Sequence, residues 1–125
     1  MHPIGEGGEA AVAAWLQARQ WQIVARNWTC RWGELDLVAY HPVRGLAFVE
    51  VKTRRPHNWD ANGLGALSPR KQLKLIRAAQ AFLQAQPQWQ DSPCRFDVAL
   101  VLYQPSSVGG GYQVRQYLED AFAVE

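Results

Sequence analysis

Two carboxylates and one amine stand in strand-like segments where apolar side chains would be expected. Asp36 lies in a segment of alternating apolar and polar residues, and Glu50 and Lys52 lie in a second, mostly apolar one. Carboxylates held close together repel each other, and a proton or a cation relieves that repulsion. Hard cations such as Mg²⁺ or Mn²⁺ take oxygen ligands, so Asp36, Glu50 and the main-chain carbonyl of Val51 form a candidate metal site. Lys52 would hold an attacking water or offset charge on a phosphate.

These acids meet only if their two segments pair in a sheet. Residues 33–40 alternate with period two, residues 41–45 contain Pro and Gly, and residues 46–53 form the next strand. Five turn residues predict an antiparallel pair, with Asp36 and Glu50 facing each other on one side of the sheet. The side chains predicted to share the opposite face of the first strand are Leu35, Leu37 and Ala39. The competing interpretation is a cross-strand salt bridge with Lys52 on a solvated face.

The rest of the chain predicts two helices and three further strands around this hairpin. The predicted helices span residues 6–19 and about 68–85, and the predicted strands span residues 21–28, 95–103 and 112–118. A mobile loop is predicted over about 54–67, where two glycines occur. A chain of 125 residues is expected to form one domain, here residues 1–125, of class α/β. The predicted order is α-β-β-β-α-β-β, with a central mixed sheet flanked by helices.

A further carboxylate occupies an unusual position on the first predicted helix. Val12, Ala13 and Leu16 fall on one face of this helix, and Glu9 lies in the middle of the same face. A carboxylate inside an apolar stripe is costly unless it is paired or ligated. Glu9 is therefore a candidate for the same site, unless the helix is too short for its stripe to be well defined.

Positive charge is concentrated in one part of the chain. Residues 51–77 carry seven basic side chains and one acidic one, whereas the remainder carries six basic and ten acidic side chains. This segregation favours a polyanion partner, although a solvated helix and loop would give the same pattern. The candidates for phosphate contacts, which give affinity without sequence choice, are Arg54, Arg55, Arg70, Lys71, Lys74 and Arg77.

Other features exclude several classes of protein. No apolar run approaches the roughly 20 residues that cross a bilayer. Residues 1–14 carry two acids and no Lys or Arg, unlike a secretory signal, so a cytoplasmic protein without a membrane partner is expected. Cys30 and Cys94 lack the spacing of a metal site and are expected to be buried free thiols.

Several segments together resemble the YraN-like family of small bacterial proteins. The segments that carry the resemblance are Gly8-Glu9-Ala10, Arg26-Asn27-Trp28, GELDLV at 33–38, FVEVKTR at 48–54 and RFDV at 95–98. The likeness runs in order over nearly the whole chain. It implies a restriction-endonuclease-like fold of the PD-(D/E)xK superfamily, distantly similar to archaeal Holliday junction resolvases.

The resemblance also implies roles for individual residues. Asp36 and Glu50 match the two acidic positions of the nuclease motif, Lys52 matches its lysine, and Glu9 matches a helical acid close to the metal. Leu35 stands where the named motif has proline. The implied activity is Mg²⁺- or Mn²⁺-dependent hydrolysis of DNA, on branched DNA by likeness to the resolvases. A homodimer that pairs through an exposed strand edge is also implied. The alternatives are a nucleic-acid-binding protein of the same fold without efficient cleavage, and a protein-interaction subunit.

Overall fold

Five strands form one mixed sheet that is covered by a helix on each face. The computed structural model describes residues 3–56, 67–104 and 111–123. Its elements are α1 (Pro3–Gln17), β1 (Gln22–Cys30), β2 (Gly33–His41), β3 (Gly45–Arg54), α2 (Pro69–Ala85), a short 3-10 helix (Pro87–Trp89), β4 (Cys94–Tyr103) and β5 (Tyr112–Phe122). The predicted α/β class and element order are confirmed. Helix α1 is shifted toward the N-terminus, β5 is longer than predicted, and most of the predicted mobile loop, residues 57–66, lies outside the described residues.

The strands follow one another across the sheet in chain order, from β1 to β5. Strands β1, β2 and β3 form an antiparallel meander, and β4 and β5 are also antiparallel. Strands β3 and β4 run parallel because the connection through α2 returns the chain to the end where β3 began. The predicted hairpin of β2 and β3 and the mixed character of the sheet are therefore confirmed.

Each helix covers its own apolar cluster. The predicted stripe of α1 is buried, since Val12, Ala13 and Leu16 are at most 1% exposed and pack on one face of the sheet. Helix α2 buries its own apolar stripe, which includes Leu75 and Phe82, against the other face. Ser68 caps α2 as predicted, because its hydroxyl accepts a hydrogen bond from the main-chain N–H of Lys71 at 3.1 Å.

The alternation of β2 breaks at Asp36. Leu37 and Ala39 pack under α1 as predicted, but Leu35 packs under α2, so the prediction that all three share one face was wrong. In β1 the residues that flank Asn27 pair with those that flank Asp36, and Asn27 has a φ of 49°. A residue with left-handed backbone conformation within a strand changes the local twist. The side chains on either side of this point therefore no longer alternate strictly between the two faces of the sheet.

Both cysteines are free, as predicted. They are not buried, since Cys30 is half-buried and Cys94 is exposed, and this part of the prediction was wrong. Each lies at an end of its strand rather than in the middle, where the core is. Among the described residues, no helix combines the length and the apolar character needed to cross a membrane.

Candidate metal site

The candidate site lies where β2 and β3 part. Their pairing runs from His41 and Gly45 at the turn to Leu37 and Val49. At the next position Asp36 Oδ2 accepts a hydrogen bond from the main-chain N–H of Val51 at 2.9 Å. The side chain of Asp36 thus bonds to the main chain of β3. This bond holds the carboxylate of Asp36 beside Val51, the residue that follows Glu50. The proposed use of the Val51 carbonyl as a metal ligand stays a prediction.

Three carboxylates from two elements converge at this point. One carboxylate oxygen from each of Glu9, Glu34 and Asp36 lies within 4.8 Å of the other two. Glu9 and Asp36 are half-buried, whereas Glu34 is exposed. Glu9 reaches the group from α1, which covers the sheet above β3. The helix lies close to that strand because residue 8 is glycine, and a methyl group there would overlap the hydroxyl of Thr53.

Glu50 joins the group from β3. Burial, the charge of Asp36 and a hydrogen bond with its carboxylate together raise the pKa of Glu50, which is about 7 with all influences included. Lys71 opposes this rise, since its Nζ lies 3.4 Å from Glu50 Oε2. The side chain of Glu50 is only 12% exposed, so its charge is poorly screened by water. Asp36 therefore acts on the ionisation of Glu50 from the neighbouring strand.

Glu9 shows the same behaviour on the other side of Asp36. Burial, Asp36 and Glu34 raise the pKa of Glu9, a hydrogen bond from Asn27 opposes them, and the resulting pKa is about 7. Glu9 and Glu50 therefore hold part of their protons near neutral pH. Asp36 lies between these two acids and interacts with both.

Lys52 is half-buried beside the acids. Burial lowers the pKa of Lys52, the charges of Arg54 and Lys71 lower it further, and the charge of Glu50 opposes them. Residues 50 and 52 of one strand share a face, which brings this amine to the side on which Glu50 meets Lys71. The ammonium group of Lys52 is therefore a stronger acid than that of an ordinary exposed lysine.

The six basic candidates do not form one uniform surface. Lys71 lies against Glu50 and belongs to the acidic group. The guanidinium of Arg77 lies 4.9 Å from the centre of the Trp32 ring, and that of Arg55 lies 5.2 Å from the centre of the Tyr103 ring. The three remaining candidates are exposed to solvent, namely Arg54, Arg70 and Lys74. Exposed and ring-supported cations are both available to a phosphate backbone.

Sequence reasoning gave no role to three residues that the structure brings to the site. Glu34 could have been found, because it lies two residues before Asp36 in the same strand. Asn27 and Thr53 lie in segments that carry the family resemblance, but nothing in the sequence gave them a role; Asn27 Oδ1 and Thr53 Oγ1 are buried and have no hydrogen-bond partner in the described part of the chain. Asn27 hydrogen-bonds Glu9, so its unpaired buried oxygen beside the clustered carboxylates fits a hard cation of the Mg²⁺ or Mn²⁺ class, whereas Thr53 Oγ1 lies against Gly8, the residue before Glu9.

Comparison with known proteins identifies relatives along the whole chain. Residues 8–101 match the model of the "Uncharacterised protein family UPF0102". A UPF0102 protein of Thermosynechococcus vestitus is 58% identical over 125 residues, which is 100% of this chain and 98% of the relative. A UPF0102 protein of Synechococcus sp. strain JA-3-3Ab is 52% identical over 119 residues, 95% of this chain and 90% of the relative.

The similarity to a more distant relative also extends over nearly the whole length of both chains. A UPF0102 protein of Synechocystis sp. is 41% identical over 148 aligned positions, which cover 98% of this chain and 99% of that protein. The match to the family includes Glu9, Asp36, Glu50 and Lys52, the four residues for which the sequence predicted chemistry. The resemblance to the YraN-like family is thereby confirmed, and the chain belongs to the UPF0102 family.

Proposed function

We propose that this protein is a metal-dependent nuclease that hydrolyses phosphodiester bonds in DNA. The observation that carries the proposal is the convergence of Glu9, Glu34 and Asp36, with Glu50 hydrogen-bonded to Asp36. Acids clustered in this way repel one another, and a divalent cation relieves that repulsion. Lys52 follows Glu50 by two residues, which supplies the cationic partner that phosphodiester hydrolysis needs.

Asp36 and Glu50 would hold the metal, and Glu9 would support them from α1. A bound Mg²⁺ or Mn²⁺ supplies a Lewis acid that lowers the pKa of water and stabilises charge on a phosphate. Asp36 is the best-fixed of these residues, since its Oδ2 accepts the hydrogen bond from the Val51 N–H. Glu34 is exposed and remains able to orient a water at the rim of the site.

Lys52 would orient the attacking water and offset the charge that develops on the phosphate. Its half-buried position beside Glu50 supports this role, because an ammonium group can hold a water by a hydrogen bond and face a phosphate with its charge. Lys71 would keep Glu50 ionised, since their 3.4 Å contact favours the carboxylate form. Both lysines already interact with Glu50, Lys71 through the 3.4 Å contact and Lys52 through its charge.

The basic side chains at the start of α2 would hold the DNA backbone next to the acids. Arg70 and Lys74 are exposed on the helix that also carries Lys71, so a strand bound there passes the acidic group. Contacts of this kind provide affinity that falls with salt but little sequence specificity. Branched DNA is the preferred substrate that the likeness to the resolvases supports.

The decisive experiment is a cleavage assay on supercoiled plasmid and on a four-way DNA junction with Mg²⁺ or Mn²⁺. The unmodified protein should cut, and Asp36→Asn and Lys52→Ala should reduce cleavage by at least about a hundredfold. Asp91→Asn is the matched control, because Asp91 is an exposed acid in the turn that precedes β4. Equal DNA binding by all variants without cleavage by any of them would contradict the proposal and leave a binding protein of the same fold.

A further inference from the structure

A second candidate site lies at the end of the sheet opposite the acids. Asp36 is near the start of β2 and Glu50 is near the end of β3, whereas this cavity is lined by residues at the far ends of those strands. Its volume is about 440 Å³, within the range of about 300–1,000 Å³ that is usual for pockets that hold small molecules. The lining consists of four ring side chains, three arginines and one glutamate.

The rings and two of the arginines form two groups, of which the first is a flat stack and the second is tilted by 56° between its two rings. In the first, the rings of Trp15 and Tyr117 lie 4.6 Å apart and nearly parallel, and the guanidinium of Arg19 lies 3.6 Å from the centre of the Trp15 ring. In the second, Trp21 lies 5.0 Å from the Arg95 guanidinium and 5.2 Å from the His41 ring. Such walls suit a planar aromatic ligand, because rings and guanidinium groups both stack on π faces.

Two of the three arginines of the pocket converge on a single carboxylate. Glu119 Oε1 lies 2.7 Å from Arg44 Nη1 and 3.0 Å from Arg95 Nη2. Both Arg44 and Glu119 are about half exposed, so this bridge is accessible to solutes. Three arginines against Glu119 and the buried Asp97 behind Arg95 leave one net positive charge, which favours an anionic ligand.

Arg95 is held in place from below by a buried acid. Asp97 Oδ2 accepts a hydrogen bond from Arg95 Nε at 3.2 Å, and its side chain is fully buried. The hydroxyl of Tyr117 donates to the same oxygen at 2.6 Å, and the main-chain N–H of Asp120 donates to Oδ1 at 2.9 Å. A guanidinium fixed in this way loses little entropy when it binds a further anion.

We propose that this pocket binds a nucleoside monophosphate, with its base against the stacked rings and its phosphate between the arginines. The phosphate competes with Glu119 for Arg44 and Arg95, and Arg19 adds a third cation at the rim. A phosphate offers several oxygens to planar guanidinium groups, whereas Glu119 engages both through one oxygen. This site is independent of the proposed nuclease site, since it shares no residue with the acidic group.

The first test is a calorimetric titration of the full chain with adenosine 5′-monophosphate in the presence of EDTA, which removes any contribution from a metal. Saturable one-to-one binding is expected, with adenosine and inorganic phosphate each weaker by at least about tenfold. Phosphate that binds as tightly as the nucleotide would overturn the assignment, because the rings would then contribute nothing. Absence of saturable binding by any of the three ligands would overturn it as well.

The second test uses variants of opposite expected sign. Arg44→Ala should weaken binding by about tenfold, whereas Glu119→Gln should strengthen it, because the competing carboxylate is lost. Arg26→Ala, at an exposed arginine of β1, is the matched control and should bind as the unmodified chain does. Thermal unfolding shows that each variant is folded. Unchanged affinity in both pocket variants, or loss of binding in Asp36→Asn, would place the nucleotide elsewhere and refute the proposal.

Discussion

The carboxylate of Asp36 accepts a hydrogen bond from the main-chain N–H of Val51 at 2.9 Å, and so joins β2 to β3 where their pairing ends. The Val51 N–H therefore donates to a side-chain oxygen, where regular strand pairing would offer it a main-chain carbonyl. The contact holds one acid beside the strand that carries Glu50 and Lys52.

Protein stability without metal should fall as pH rises through neutrality. Burial and Asp36 raise the pKa of Glu50 to about 7, above the value of 4.5 expected in an unfolded chain. The folded chain therefore binds more protons than the unfolded one between these values, and the free energy of unfolding declines as pH increases from about 4.5 to 7. Thermal unfolding in EDTA should give a higher Tm at pH 6 than at pH 8. Glu50→Gln, which cannot ionise, should reduce that difference, and an unchanged difference would contradict this account.

Divalent metal binding should strengthen over the same pH range and release protons. Glu9 and Glu50, whose pKa values lie at about 7, must both be ionised to serve as ligands. Titration of Mn²⁺ in buffers of different ionisation enthalpy measures the number of protons released. We expect release near pH 6.5 and little above pH 8.5. Glu50→Gln should release fewer protons, whereas Asp91→Asn should match the unmodified chain.

Substitution of Gly8 should be destabilising although it lies in a helix. Alanine normally improves a helix interior by about 1 kcal/mol over glycine. Here the added methyl would overlap the Thr53 hydroxyl, and overpacking of this kind costs about 1–3 kcal/mol. Gly8→Ala should therefore lower the free energy of unfolding, measured by urea denaturation. The double variant with Thr53→Ala removes the obstructing oxygen and should recover much of the loss, and additive effects would show that the two residues are not coupled.

Lys71 and Lys74 should differ in effect although they lie one helical turn apart on α2. Lys71 contacts Glu50, so Lys71→Ala should raise the pKa of Glu50 further and shift the pH dependence of Mn²⁺ binding upward. Lys74 is exposed, so Lys74→Ala should leave that pH dependence unchanged. If the basic surface binds DNA, Lys74→Ala should reduce the slope of log affinity against log salt by about one. If Mn²⁺ binding depended on pH in the same way in the two variants, the contact of Lys71 with Glu50 would not control the ionisation of Glu50.

Much of the fold followed from local patterns in the chain. The two-residue alternation and the Pro- and Gly-containing turn predicted the hairpin of β2 and β3, and Ser68 with Pro69 predicted where α2 begins. The apolar spacing of α1 also predicted which of its faces is buried. These features are local, because a strand or helix must bury an apolar face of fixed period and a turn needs particular residues.

The details of the candidate site needed long-range contacts. The two-residue alternation predicted that Leu35 and Leu37 lie on one face of the sheet. In the structure they lie on opposite faces, and Asp36 between them stands opposite Asn27, which has a positive φ. The approach of Glu34 to Glu9 and of Lys71 to Glu50 each joins elements distant in sequence. Spacing along the chain indicates which residues could do chemistry, but their distances and burial depend on how helices pack and where strands part. The packing of the helices and the point where the strands part are determined by the whole core. The apolar area buried there stabilises the close contacts between charged groups at the site.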